Sequence, residues 1–303
     1  MRIIAPEYYS SFKCIANKCK HSCCIGWEID IDDEAMEKYN KISGAFGEKF
    51  KQNIEITDDC ACFKLSDNER CPFLNSDNLC DIVLKFGEDY LSQICTDHPR
   101  FRNFFENTTE IGLGLCCEEA GRIILNQSSP FKLIVIDGDN EKNDNSDYEE
   151  FAKIRKIVLD ILTDREFSID ERVNNLKDFF NFDLPQKNID EWCEVLLNLE
   201  ILDNSWESTL NKLKTSKQNA LPQEFELWGE NLLCYFVYRH LPNILYDDNI
   251  KSHLAFIVLG YEIVKALVKM DFKAFEDIVE YVRLYSSEIE YSQENIDALL
   301  TIL

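Results

Sequence analysis

The chain has 303 residues, 45% hydrophobic and 12% aromatic, which is enough to bury a core and suggests about two domains at ~150 residues each. Its 32 Lys and Arg against 56 Asp and Glu give a formal charge of -24, which repels a phosphate backbone and excludes nucleic acid as a natural partner. No apolar run approaches the ~18 to 20 residues that span a bilayer, and Met1-Arg2-Ile3-Ile4-Ala5-Pro6-Glu7 lacks a secretory leader pattern, so a soluble cytoplasmic protein is expected, with no membrane partner.

In that compartment thiols stay reduced, which favours metal binding over disulfides. Eleven of the 13 cysteines fall before residue 118, in the order Cys14, Cys19, Cys23, Cys24, Cys60, Cys62, Cys71, Cys80, Cys95, Cys116 and Cys117; Cys193 and Cys234 complete the set. Thiolates that share a metal must be gathered by the fold, whereas cysteines used as small core residues would be scattered. Cys19 and Cys23, four apart, share one face if their segment is helical. Trp27, Ile29 and Ile31 alternate with Glu28, Asp30 and Asp32, which predicts a short strand. Asp32 then caps a helix through Tyr39. Residues 81–86 read as a helix ended by Gly87, and a second short helix delivers Cys95. Ile111, Leu113 and Leu115 alternate with Gly112 and Gly114 as a strand, after which Cys116-Cys117 opens a helix at Glu118. Sulfurs at such helix starts are expected to accept backbone N–H groups.

The run Asp137 to Asp147 has no apolar anchor and reads as a linker. Beyond it helical periodicity dominates. Ile154, Ile157, Val158, Ile161 and Leu162 line one face, and Ser168 to Glu171 reads as a capping box for a helix carrying Val173, Leu176, Phe179 and Phe180. Further helices are predicted near 189–202, 206–216, 223–241, 250–270, 272–285 and 293–302. The expected fold is mainly α: a cysteine-rich module with short strands over residues 1–127, then a helical C-terminal domain over 128–303.

The residues Pro6-x-Tyr8-x3-Phe12-x-Cys14-x4-Cys19-x3-Cys23-Cys24-x-Gly26-Trp27 resemble a known pattern. It continues through Cys71-Pro72-Phe73-Leu74, Leu79-Cys80, Cys95-x2-His98-Pro99-Arg100 and Leu115-Cys116-x-Glu118, then Tyr235-x2-Tyr238-Arg239-His240 and Leu284-Tyr285-Ser286-x-Glu288-Ile289-Glu290-Tyr291. Together these resemble the flagellin lysine-N-methylases of the FliB type across nearly the whole chain, more weakly between about 128 and 220. The N-terminal cysteines are also similar to those of zinc- or iron-chelating proteins of the YkgJ type.

This resemblance implies methyl transfer from S-adenosylmethionine to lysines of flagellin, with an iron-sulfur cluster. The thiols that match its pattern are Cys14, Cys19, Cys23, Cys24, Cys71, Cys80, Cys95 and Cys116. Cys60, Cys62 and Cys117 lie outside the pattern, Cys117 where Pro is usual, and His98 stands where Tyr is usual. Eight thiols exceed the four that one four-iron four-sulfur cluster takes, so either two centres form or some have other duties. Zinc accepts four thiolates equally well on spacing alone. Gly112-Leu113-Gly114 lacks the G-x-G-x-x-G layout, and the spacing Cys19-x3-Cys23-Cys24 only approaches that of a radical enzyme, so the methyl-donor site is not located by the residues.

Lysine attacks a sulfonium only as the neutral amine, and with an ordinary pKa of about 10.4 it needs a base or a desolvating site. His240, Glu118, Glu288 and Glu290 are candidate bases, with Arg239 beside His240 and Arg100 as a candidate carboxylate partner. Each also has a structural alternative as a helix-end or ion-pair residue. The competing reading is a non-catalytic interaction module with a structural metal or cluster; electron transfer is a third, with no flavin or nicotinamide motif to support it.

Overall fold

The computed structural model describes residues 2–57, 60–66, 68–138 and 146–303. The contacts divide the chain into two compact units, Lys13–Phe101 and Met1–Phe12 with Arg102–Leu303. The division therefore differs from the expected 1–127 and 128–303. Residues 102–127 pack with the helical part because they supply a strand and a helix to its core, as described below.

Strand β1 (Arg2–Pro6) opens the chain. The Lys13–Phe101 unit then holds α1 (Asp33–Asn40), α2 (Gly44–Asn53), β2 (Ile54–Ile56), β3 (Ala61–Phe63), α3 (Asp81–Phe86) and α4 (Gln93–Asp97). Asp32 caps α1 as predicted, its Oδ1 accepting from the Ala35 amide at 3.0 Å. Gly87 ends α3 at φ +90°, a conformation that favours glycine. The stretch 27–32 is extended but forms no strand of its own; it is tied to β3 by Ile31 N to Ala61 O (2.8 Å) and Phe63 N to Ile29 O (3.0 Å). Its alternation still decides burial, since Ile29 and Ile31 enter the core with Tyr39, Phe50, Phe63, Phe73 and Ile82. Cys19 and Cys23 do not share a helix: a short 3-10 turn covers Ala16–Lys18 and ends at Cys19 in extended backbone.

A four-stranded sheet has the order β4 (Arg100–Phe105), β5 (Thr108–Leu113), β1, β6 (Leu133–Asp137), with all but the first two residues of β4 in the second unit. β1 runs parallel to β5, with Ile3 opposite Thr109, and antiparallel to β6, with Ala5 opposite Ile134. β1 and β6 carried no alternation strong enough to predict them. The helices are α5 (Glu118–Leu125), α6 (Ser146–Leu162), α7 (Ile169–Phe180), α8 (Ile189–Leu197), α9 (Asn204–Thr215), α10 (Phe225–His240), α11 (Ile244–Asp247), α12 (Ile250–Met270), α13 (Phe275–Tyr285) and α14 (Gln293–Ile302). The Ser168–Glu171 capping box forms in both directions. Val173 and Leu176 are buried, whereas Phe179 is exposed. Of the predicted linker, residues 139–145 lie outside the described residues; Asp137 ends β6 and Ser146 begins α6.

Helices α10 and α12 are buried on nearly every face and pack on each other, which is how a helix apolar all round is accommodated. Helix α5 packs on α10 and α13, so it belongs to this core. β5 is buried at every residue, including Glu110. That carboxylate is held by Arg155 through two bonds of 2.6 Å and by the Tyr148 hydroxyl at 2.7 Å. The fold is mainly α with a small mixed sheet, as expected, and no described helix is long and apolar enough to cross a membrane.

Candidate functional site

Two groups of residues stand out, one in each unit. In the Lys13–Phe101 unit, Cys71 is buried in the aromatic core, and Cys24, Cys80 and Cys95 pack against that core half-buried. Each arrives on a different element: Cys24 after the 3-10 turn, Cys71 before the Phe73 anchor, Cys80 at the N-cap of α3 and Cys95 within α4. Burial pushes the Cys71 thiol up to about 12, and the sulfurs of Cys24, Cys80 and Cys95 raise it further. Burial likewise raises Cys95 to about 11, and raises Cys80 against the amides of Val83 and Ile82, which make no full cap hydrogen bond to its sulfur. Cys24 differs. A hydrogen bond from Cys23 outweighs burial and, with Ser22 and Arg70, brings it down to about 7, so it ionises most readily of the four.

Cys71 is raised by the other three sulfurs, Cys95 by Cys24 and Cys80, and Cys80 by Cys24, so the four form a donor set whose anions repel one another until a cation joins them. Such a set fits a thiolate-held centre. Among the described residues, no three of these sulfurs lie mutually within 4.8 Å. A single tetrahedral zinc, with bonds of about 2.3 Å, needs its sulfurs about 3.8 Å apart, whereas a cluster places each thiolate on a different iron and spaces them more widely.

The remaining pattern cysteines are placed differently. Cys14 and Cys23 are exposed and Cys19 is half-buried, all on the loop before Trp27, whose indole donates to the Cys23 carbonyl at 2.6 Å. The Trp27 ring lies 6.2 Å from that of His98. Burial, with the Arg100 charge, holds His98 down at about 4, so its imidazole is neutral. Arg100 itself donates to the Thr96 carbonyl at 3.0 Å. An open cleft of about 240 Å³ in this unit is lined by Asp32, Glu34, Glu88 and Asp89. Lys38 already binds Glu34 and the Asp89 carbonyl there, and the Gln93 amide binds Asp32.

Cys116 is in the other unit, beside a buried network at the end of α10. Glu290, 5% exposed, is its hub. The His240 Nε2 lies 2.6 Å from Glu290 Oε1, the Tyr235 hydroxyl donates to Oε2 at 2.9 Å, and Arg239 donates to the Glu290 carbonyl at 3.1 Å with its Nε 3.4 Å from Oε1. Tyr235 also accepts from the Leu115 amide at 3.2 Å and from Arg239 at 3.1 Å. The Arg239 guanidinium sits 4.7 Å over the ring of Tyr291, which is 47% exposed and hydrogen-bonds Cys116. Burial works to raise Glu290, but the Arg239 charge and the His240 hydrogen bond outweigh it and hold the carboxyl at about 2. His240 is shifted down by burial despite Glu290, which makes it a neutral imidazole whose Nε2 hydrogen bonds the carboxylate.

The other sequence candidates are engaged in ion pairs or backbone contacts. Glu118 is buried in the first turn of α5 and accepts from Arg122 at 2.8 Å, and Arg122 continues to Glu276 at 2.7 Å. Glu288 accepts from the Leu202 amide at 2.9 Å; burial raises it to about 6, and its second oxygen has no hydrogen-bond partner among the described residues. Glu288 and Glu290 share a five-residue π-helical turn, Ser286–Glu290, a geometry often found at functional sites. Sequence periodicity could not reveal that turn, because it inserts one residue into a helical run.

The chain is similar to the flagellar biosynthetic protein FliU of Salmonella muenchen, 26% identical over 142 residues, which is 43% of this chain and 81% of that protein. It is similar to the lysine-N-methylases of Salmonella typhimurium and Salmonella choleraesuis, each 26% identical over 143 residues, 43% of this chain and 34% of theirs. The match thus spans about a third of the length of those two methylases and less than half of this chain, less than the near-complete coverage read from the motifs. These relatives support the resemblance to the FliB-like lysine-N-methylases. No family model and no solved structure matches the chain.

Proposed function

We propose that this protein is an S-adenosylmethionine-dependent protein-lysine N-methyltransferase acting on flagellin, with a four-iron four-sulfur cluster in its Lys13–Phe101 unit. The methyl-transfer reading rests on the relatives named lysine-N-methylase. What carries the cluster is the gathering of Cys24, Cys71, Cys80 and Cys95 from four separate segments against one aromatic core, where the other three sulfurs raise Cys71. The choice of iron over zinc rests on the resemblance to the FliB-type methylases, since four thiolates suit either metal. Cys14, Cys19 and Cys23, in the same unit, are further candidate ligands, whereas Cys116 belongs to the network around Tyr291 in the other unit. A bound cluster would supply redox or Lewis-acid chemistry and tie those four segments together.

The protein's own residues define what happens around the substrate amine. A lysine must lose its proton before it attacks a methylsulfonium. Glu290, held at about 2 and paired to Arg239, is a poor acceptor for that proton. His240 is neutral at physiological pH and therefore has the right charge state, yet it is 4% exposed and its Nε2 is committed to Glu290. Arg239 and His240 accordingly act in this reading as positioning residues. They fix the π-helical turn against α10 and hold Tyr291 and Cys116 at its outer edge. Glu118, locked to Arg122, has the same character.

The test reconstitutes the protein anaerobically, measures iron and sulfide, and incubates it with S-adenosylmethionine, a reductant and flagellin from the same cell. Methyl-sized mass additions on lysine peptides are expected, with iron and sulfide lost together in Cys71→Ser and Cys95→Ser. Stoichiometric zinc without sulfide overturns the cluster assignment. Unmodified flagellin with no detectable cofactor binding replaces the enzyme by an interaction module built around a structural centre. In His240→Ala, a positioning role predicts a lowered kcat that His240→Asn or His240→Gln partly restores, with the pH profile unmoved.

A further inference from the structure

We propose that a divalent metal ion of the zinc class binds on the outer face of the small sheet in the Lys13–Phe101 unit, held by Glu28, Asp30 and Cys60 with Cys62 beneath them. Neither cysteine belongs to the thiol pattern that supports the cluster, so this site stands apart from it. Its construction follows from strand geometry. Ile29 and Ile31 turn inward, which sends Glu28 and Asp30 outward on the same face. The bridge between Asp30 and Cys62, flanked by the backbone bonds of Ile29 and Ile31 to β3, sets the register across the pair. Cys60 and Cys62, two apart, therefore share that outer face.

The consequence is a mixed thiol and carboxylate cluster at metal-binding distance. The ligand atoms of Glu28, Asp30 and Cys60 lie within 4.8 Å of one another. Zinc bonds of about 2.0–2.3 Å hold their donors roughly 3.5 Å apart, a closure that side-chain rotation alone supplies for three exposed residues. Cys62 adds a fourth donor to the geometry. It is only 7% exposed, and its thiol hydrogen-bonds Glu28. A buried soft donor thus stands directly behind the exposed three, and Glu55 faces it across β2 and β3. Among the described residues no ion pair neutralises Glu28 or Asp30. Thiolate and carboxylate together suit a borderline-soft divalent ion better than magnesium or calcium, which prefer all-oxygen sites. Such an ion would clip the β2–β3 hairpin to the segment that leads out of Cys24.

The experiment titrates Co2+, then Zn2+ in competition, into the full-length protein and into Cys60→Ser, following thiolate-to-cobalt absorption and the metal count after gel filtration. The count is read as the difference between the two proteins, so that Cys24, Cys71, Cys80 and Cys95 contribute equally to both and cancel. One ion per chain more in the wild type is expected, with affinity lowered at least about 10- to 100-fold in Glu28→Gln and Asp30→Asn. Circular dichroism of the four proteins shows whether each is folded; since Glu28, Asp30 and Cys60 are exposed, these variants should keep the wild-type spectrum without metal. Equal counts in wild type and Cys60→Ser overturn the site. So does retention of full affinity in both carboxylate variants, which would mark surface binding. Neither result bears on whether the protein holds a cluster or transfers methyl groups.

Discussion

Replacing Glu290 by Gln removes one charge from a buried polar network while keeping the side chain's shape. The carboxyl falls from an ordinary 4.5 to about 2 on folding. At about 1.4 kcal/mol for each pH unit, that difference is worth about 3 kcal/mol of stability. The figure agrees with the roughly 3–5 kcal/mol lost when one partner of a buried ion pair is removed, here leaving the Arg239 guanidinium without its counterion. Because the folded value lies below the ordinary one, the contribution is complete above about pH 5 and drains away as the pH falls toward 2. Urea denaturation of wild type and Glu290→Gln near pH 7 should therefore differ by about 3 kcal/mol, and by only about 1 kcal/mol near pH 3. The other acids titrate in both proteins and cancel in the comparison. An equal difference at both pH values would refute the reasoning, since the loss would then come from altered packing or hydrogen bonding and not from the charge.

Further outcomes follow from residues elsewhere in the fold. Arg155→Met strands the Glu110 carboxylate within β5 and should cost about 3–5 kcal/mol in chemical denaturation, most of it recovered when Glu110→Leu is added. Gly260→Ala would bring its new methyl group 2.8 Å from the Tyr285 hydroxyl and should lower stability by about 1–3 kcal/mol, while Tyr285→Phe, which removes a buried hydroxyl without a hydrogen-bond partner among the described residues, should be neutral or raise the melting temperature. Ser168→Ala breaks the capping box of α7 and should cost about 1 kcal/mol, readable as a lower urea midpoint with an unchanged slope.

Local rules in the sequence determined much of this protein. The caps at Asp32 and Ser168, the stop at Gly87 and the long apolar helices α10 and α12 follow from side chains that act on their own or the next turn of backbone. The same locality covers part of the gathered thiols: Cys80 and Cys95 stand at predicted short helices, whereas Cys24 and Cys71 had no predicted element and the meeting of the four was not legible. Tertiary structure decided the rest, because it depends on partners far apart in the chain. β1 becomes a strand through pairing with residues more than a hundred positions away, and residues 102–127 join the helical unit because α5 needs α10 and α13 to cover its apolar face. The same holds for the polar sites. Arg239, His240 and Glu290 are separated by some fifty residues and acquire their charge states only from burial beside one another. Glu28, Asp30, Cys60 and Cys62 share a face only after the register between two extended segments is set, and side-chain alternation within one segment cannot fix its register against another.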